Sequence, residues 1–243
     1  MSLLAHFKVV LVQTSHPGNI GAVARAMKNM GMTQLRLVNP KLFPHADATA
    51  RASGAEDLLK TATVFNSLAE AIADCQLVLG SSARDRTISW PTVTARECAE
   101  KWANDQLTRN IALVFGRENS GLKNHELDLC HYLLRIPCNP EYSSLNLAAA
   151  VQVVCYELFV ISGQQQTSHI GDQGENPPAT AEQMEGFYQH LHQTMMDIGF
   201  LQPERSKSMM RRLRRIFNRI QLDNKELDIL RGILRFSQNH NLK

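Results

Sequence analysis

Nowhere does the 243-residue sequence hold the ~20 consecutive apolar residues that a helix needs to cross a bilayer. Its start lacks a basic segment followed by a signal-length apolar core, because the apolar run at residues 9–12 is too short. The expectation is a cytoplasmic protein with no membrane partner. The five cysteines, Cys75, Cys98, Cys130, Cys138 and Cys155, are odd in number and contain no C-x-x-C pair. Reduced thiols are expected rather than a disulfide framework. The nine histidines include no H-E-x-x-H, and His190-x-His192 has no cysteine nearby. No metal is expected. G-K-[ST] and G-x-G-x-x-G are both missing, which excludes a P-loop and a dinucleotide fingerprint.

What is present centres on Ile136-Pro-Cys-Asn-Pro-Glu-Tyr-Ser-Ser-Leu-Asn-Leu147, followed by the apolar run 148–161. Pro137 and Pro140 fix their own φ and stiffen the loop. Ser143 or Ser144 is expected to cap a helix and leave free N–H groups at its mouth. That helix carries Ala, Val and Leu on nearly every face. It should be buried on all sides, by a sheet on one and a partner chain on the other.

Upstream, short apolar β-branched runs alternate with helical patterns. Strands are expected at 7–12, 34–39, 63–65, 76–80, 111–115 and 132–136. Helices are expected from near Asn19 to Gly31, over 51–59, 68–73 and 95–103, and from Asn124 to Cys130. The result is an α/β domain with a mainly parallel sheet over residues 1–163. Residues 164–180 are polar, Gly- and Pro-containing and aperiodic, a linker. Residues 181–243 read as a small all-α domain of about three helices, opened by a Thr180/Gln183 capping box. The apolar faces are expected at Met184, Phe187, Tyr188, Leu191, Met195 and Ile198, at Met209, Met210, Leu213, Ile216, Phe217 and Ile220, and at Leu227, Leu230, Ile233 and Leu234. The formal net charge is only +3, yet between Arg205 and Arg219 there are seven Lys or Arg and no acid. Arg211, Arg212, Arg214 and Arg215 crowd one helix there, which fits a solvated face, a membrane-surface helix or a nucleic-acid contact.

The polar and glycine-rich signals follow strands, where open α/β sheets bind ligands. They include Ser81, Ser82, Ala83, Arg84 and Arg86 after one strand and Gly116-Arg-Glu-Asn-Ser-Gly-Leu122 after another. Arg25 falls off its helix's apolar stripe, in the expected second turn, within reach of the strand-to-helix loop.

Three segments together resemble the SPOUT methyltransferases, the knotted family: Asn19-Ile-Gly-Ala-Val-Ala-Arg25, Phe115-Gly-Arg-Glu-Asn-Ser-Gly-Leu122, and Ile136-Pro with Ser143-Ser-Leu-Asn146. With the helical tail, the chain is similar to the branch that methylates the ribose 2′-OH of cytidine or uridine at position 32 of the tRNA anticodon loop. The resemblance implies a deep C-terminal trefoil knot, a homodimer with active sites shared between subunits, and S-adenosylmethionine (SAM) as methyl donor. It implies a SAM pocket of Ser81, Ser82, Ala83, Gly116, Ile136, Ser143, Ser144 and Leu145. It implies that Arg25, supplied by the second subunit, acts on the ribose hydroxyl; because a guanidinium stays protonated, Arg25 is expected to stabilise the developing 2′-alkoxide and hold the neighbouring phosphate, oriented by Asn19. Glu118 is expected to brace loops. Tyr142, Asn146, Glu118, Arg84, Arg86 and the four tail arginines are candidates for contact with tRNA. Two competing functions are a non-catalytic RNA-binding or assembly protein on the same fold and a small-molecule nucleotide-binding α/β protein. A methyltransferase of this family with another RNA target is a third.

Overall fold

The computed structural model describes residues 4–82, 90–103, 109–163 and 176–240. In chain order the first half holds β1 (Phe7–Val12), α1 (Pro17–Asn29), β2 (Gln34–Val38), α2 (Ala46–Ala52), α3 (Glu56–Thr61), β3 (Thr63–Phe65), α4 (Leu68–Ile72) and β4 (Leu77–Ser81). There follow β5 (Thr92–Thr94), α5 (Ala95–Trp102), β6 (Ile111–Phe115), α6 (Asn124–Leu127), β7 (Tyr132–Arg135) and α7 (Leu147–Gly163). The tail is α8 (Ala181–Asp197), α9 (Pro203–Ile220) and α10 (Asn224–His240).

Among the described residues the strands form one sheet in the order β3-β2-β1-β6-β4-β7-β5, with every pairing parallel. β1, β4 and β6 are almost wholly buried, which is why they read as continuous apolar runs rather than alternating ones. One core layer joins the sheet to α1, α2, α3, α5 and α7, and a second lies on the opposite face with α4, Trp90, Leu122 and Leu127. The edge strand β5 is not among the expected strands. It is three residues long and follows Pro91, too short to show a period.

Several boundaries differ from expectation for local reasons. α1 starts at Pro17, not near Asn19, because His16 caps it: its Nδ1 accepts from Gly18 N at 3.2 Å. Arg25 therefore falls in the third turn rather than the second. The helix expected over 51–59 is two helices, broken where Ser53 and Gly54 take positive φ. α6 stops at Leu127 and begins after Lys123, whose backbone N donates to Glu126 at 2.6 Å.

The main correction concerns α7. It does not start at Ser143 or Ser144. Asn146 caps it, its Oδ1 accepting from Ala148 N at 2.9 Å and Ala149 N at 3.4 Å. Within one chain it is also buried on one side only. Leu147, Val151, Val154, Cys155 and Leu158 face the core, while Tyr156 and Phe159 are about half exposed.

Gly21 sets the spacing between α1 and α2. A Cβ there would lie 2.0 Å from the backbone oxygen of Ala48, so no other residue lets the two helices approach this closely. Gly21→Ala should therefore destabilise the fold by about 1–3 kcal/mol through overpacking, read as a lower urea midpoint at unchanged m.

The tail helices form a third core around Phe187, Tyr188, Met184 and Leu227. The expected Thr180/Gln183 capping box is present, and Asp223 and Glu226 bond each other reciprocally in the same way at the start of α10. The apolar faces are narrower than the periodicity suggests: Ile198, Met209, Ile216, Ile220 and Ile233 are exposed. The module docks through backbone, with Ala181 N donating to Cys75 O at 2.8 Å and Glu182 N to Ala73 O at 3.3 Å. Next to that junction Asp74 accepts from Lys8 and from both Arg36 nitrogens. Arg36 hydrogen bonding, outweighing the opposing effect of burial, holds the Asp74 carboxyl far below its ordinary range.

His131 is buried beside the same junction, its Nδ1 accepting from Val78 N at 3.1 Å. Burial lowers its pKa to about 4. Because the unfolded value is near 6.5, this stabilisation is complete above pH 6.5 and is lost as pH falls towards 4, about 2 kcal/mol of it by pH 5. Urea titrations at pH 7 and pH 5 should show that loss in the native chain. His131→Gln, which cannot titrate, should show a smaller pH dependence.

Candidate active site

The parallel register places the carboxyl ends of β1 and β6 side by side, Leu11 opposite Phe115. The loops that follow them therefore meet. Glu118, from the β6 loop, accepts from Ser15 N at 3.1 Å, Ser15 Oγ at 2.9 Å, His16 N at 3.2 Å and Asn19 Nδ2 at 3.0 Å. Burial by itself would raise its pKa. The hydrogen bonds from Asn19, Ser15 and His16 instead bring it down to about 2. Glu118 is thus a permanent anion tying two loops together, and far too weak a base to take a proton from a sugar hydroxyl.

The third loop joins through Asn19. Its Oδ1 accepts from Asn146 Nδ2 at 3.3 Å. Glu118, Asn19 and Asn146 form a continuous relay across all three sequence segments. The capping role of Asn146 explains why this works: the residue that starts α7 also faces α1.

The β6 loop folds back on itself, Arg117 N and Gly121 N each bonding the other's carbonyl at 3.3 and 2.9 Å. Only glycine permits this at 116, since a Cβ would sit 2.2 Å from Gly121 C. Arg117 locks the loop from behind, giving two bonds to Glu126 at 2.8 and 2.9 Å and one to Gln13 Oε1 at 2.8 Å.

These loops enclose a cavity of about 330 Å³, in the range of small-molecule sites. Ser81 and Ser82 border it from β4, and Ser82 N donates to Leu134 O at 3.1 Å, extending the ladder. Gly116 and Glu118 come from the β6 loop, and Ile136, Ser143, Ser144 and Leu145 from the segment before α7. Ile136, Leu134, Leu145 and Leu147 give apolar walls; serines and loop backbone give polar groups. Asn119, Ser120 and Cys138 also line the cavity. They carry no separate signal in the sequence, though they belong to the segments that do. Ala83, Arg84 and Arg86 lie outside the described residues.

Arg25 is exposed and does not line this cavity. It follows Asn19 on α1 by six residues, about 9 Å further along the axis and about 120° round it. Tyr142 is largely exposed on the loop above the cavity. Two of the four tail arginines are committed internally. Arg211 pairs with Asp128 at 2.5 Å and lies over the Trp90 ring; Arg214 grips Glu185 at 2.7 and 2.8 Å and lies over Tyr188. Arg212 is exposed and Arg215 partly so. Among the described residues no cluster of metal-ligating side chains occurs, and no helix is long and apolar enough to cross a membrane.

Residues 6–156 match the SpoU rRNA Methylase family, and residues 182–242 match the tRNA methyltransferase TrmJ C-terminal domain. The chain belongs to the SpoU methylase family. Within that class its full-length relatives include TrmJ proteins. It is 49% identical to the tRNA (cytidine/uridine/adenosine-2'-O-)-methyltransferase TrmJ of Pseudomonas aeruginosa (strain UCBPP-PA14), over 97% of this chain and 95% of that one. It is 47% identical to the tRNA (cytidine/uridine-2'-O-)-methyltransferase TrmJ of Pectobacterium atrosepticum, over 96% of each. Among solved structures, TrmJ from Z. mobilis ZM4 is similar with a TM-score of 0.82 at 34% identity, covering 94% of this chain and 97% of that one.

Proposed function

We propose that the chain is a SAM-dependent tRNA ribose 2′-O-methyltransferase acting on cytidine or uridine at position 32 of the anticodon loop. The observation that carries this reading is the Glu118–Asn19–Asn146 relay at the edge of a cavity built from three strand-end loops. The cavity fits SAM: it has the volume, apolar walls for a purine and backbone groups for its edges. When bound, SAM supplies an electrophilic methyl group on sulfur. That methyl would pass to the ribose 2′-oxygen, the S–C bond breaking as the C–O bond forms, with S-adenosylhomocysteine as the leaving group and the 2′-proton going to water or phosphate. Ser81, Ser82, Gly116, Ile136, Ser143, Ser144 and Leu145 hold the donor, while Glu118 and Asn146 fix Asn19. Holding both reactants in line supplies roughly 7–11 kcal/mol of barrier lowering.

Arg25 stabilises the developing alkoxide in the site of a second copy. Two features support the shared site: Arg25 stands away from its own chain's cavity, and α7 leaves Tyr156 and Phe159 uncovered within one chain. The same reading gives the homodimer, the knotted passage around the cofactor loops, and the division into residues 1–163, the 164–180 linker and the tail 181–243. Phosphate contacts from the tail fall to Arg212, Arg215 and Arg219, because Arg211 and Arg214 are spent on Asp128 and Glu185. Replacing Arg212 and Arg215 with Ala should raise the KM for tRNA about tenfold at unchanged kcat. The salt slope should fall by roughly one for each phosphate no longer neutralised.

The direct test is incubation with labelled SAM and bulk tRNA from cells lacking the activity, followed by mapping of the methylated nucleotide. Label on the 2′-oxygen of C32 or U32 is expected. The P. aeruginosa relative's name includes adenosine, so tRNAs with A32 belong in the same assay. Label on a base, or none with SAM demonstrably bound, overturns the reading.

A further inference from the structure

Exposed arginines are ordinarily solvated, yet three features set Arg51 apart. Its helix, α2, is held against α1 by the Gly21–Ala48 backbone contact, so its position is fixed by main chain rather than by a pliable side chain. Its stem lies across the first turn of α1: a Cβ on Gly18 would sit 3.4 Å from Arg51 Cγ and 3.1 Å from His16 Nδ1. The guanidinium is exposed, and among the described residues no carboxylate pairs with it. Asp47, one turn away on α2, lies 3.7 Å from His45 instead.

His16 completes the arrangement. Its Nδ1 accepts from Gly18 N, so the ring proton sits on Nε2, and the residue is exposed. The first-turn amides do not form an anion hole, since Gly18 N is taken by His16 Nδ1 and Asn19 N by His16 O. The nearby carboxylate, Glu118, already accepts from Ser15, His16 and Asn19. Two side-chain donors therefore flank Gly18, one residue before Asn19, and among the described residues no anion satisfies them.

The geometry points to Arg51 and His16 as a binding site for one backbone phosphate of the RNA substrate, next to the ribose that is methylated. This rests on the RNA methyltransferase reading and adds the residues that set the register of the strand. Arg51 supplies a planar fork suited to two phosphate oxygens, and His16 Nε2–H supplies a third donor. Neither touches the reacting atoms, so both are positioning residues.

The test uses the full chain and full-length tRNA carrying a single neutral methylphosphonate at each linkage flanking the target ribose in turn. Arg51→Ala is expected to weaken tRNA binding about tenfold, the worth of a charge-assisted hydrogen bond, and to lower the salt slope by about one. SAM affinity and the melting temperature should stay unchanged. One methylphosphonate position should weaken the native protein by a similar factor and Arg51→Ala no further, and Arg51→Lys should recover part of the affinity. If Arg51→Ala binds tRNA normally, or if every neutral linkage weakens both proteins equally, the site is wrong. A native chain that binds tRNA but transfers no methyl to a 2′-oxygen instead overturns the underlying reading, and the binding measurements still decide the phosphate contact.

Discussion

Arg25→Ala is expected to reduce methyl transfer by about 10²–10³-fold, the usual effect of removing one donor aimed at developing negative charge. SAM affinity, measured by calorimetry, should not change, because in the proposed site Arg25 is aimed at the ribose oxygen and not at the donor. Arg25→Lys should remain strongly impaired, since an ammonium cannot reproduce the planar fork. Mixing supplies the sharper measurement. A chain carrying Arg25→Ala and a chain carrying Leu145→Arg, which fills the cavity, should each be nearly inactive. Unfolded and refolded together, they should regain up to about a quarter of native activity, because each mixed dimer then holds one complete site. If mixing restores nothing while mixed dimers form, Arg25 acts within its own chain.

Glu118→Gln is expected to lower kcat by roughly 10²-fold. The substitution keeps the shape of the side chain but removes the charge that accepts from Ser15 N, Ser15 Oγ, His16 N and Asn19 Nδ2. It also turns an NH₂ group towards donors that need an acceptor, at about 1.5–3 kcal/mol for each charge-assisted bond weakened. Because Glu118 acts by holding Asn19, the two positions should not be additive. Adding Glu118→Gln to Asn19→Ala should cost only a small further factor. Independent, multiplying effects would separate Glu118 from the relay. The pH–rate profile gives a second check. Asn19 and its neighbours hold the Glu118 pKa at about 2, so no limb between pH 5 and 9 should vanish in Glu118→Gln. Loss of such a limb would make Glu118 a proton acceptor after all.

The strands that carry the site are legible in the sequence because they are buried on both faces. FKVVLV and IALVF need no partner to be recognised, and their order with the intervening helices yields a parallel sheet. The three loops are legible because glycine, proline and small polar residues cluster after those strands. The start of α7 is not, for a definite reason. Ser143, Ser144 and Asn146 are all competent caps, and only the geometry of the folded loop selects Asn146, which also bonds Asn19 from more than a hundred residues away. The basic helix is legible only by half. Local charge cannot tell that Asp128 and Glu185 lie opposite Arg211 and Arg214.

By itself, then, the sequence determined most of the element types, the parallel class of the sheet and the three segments that meet in the fold, because burial period and turn chemistry are local properties. The tertiary structure decided which atoms those segments bring together: the four-donor grip on Glu118, the relay through Asn19 to Asn146, and the placing of Arg51 over α1. Those follow from strand order and from one helix approach that a missing Cβ permits, and neither distance is encoded in any contiguous stretch of the chain.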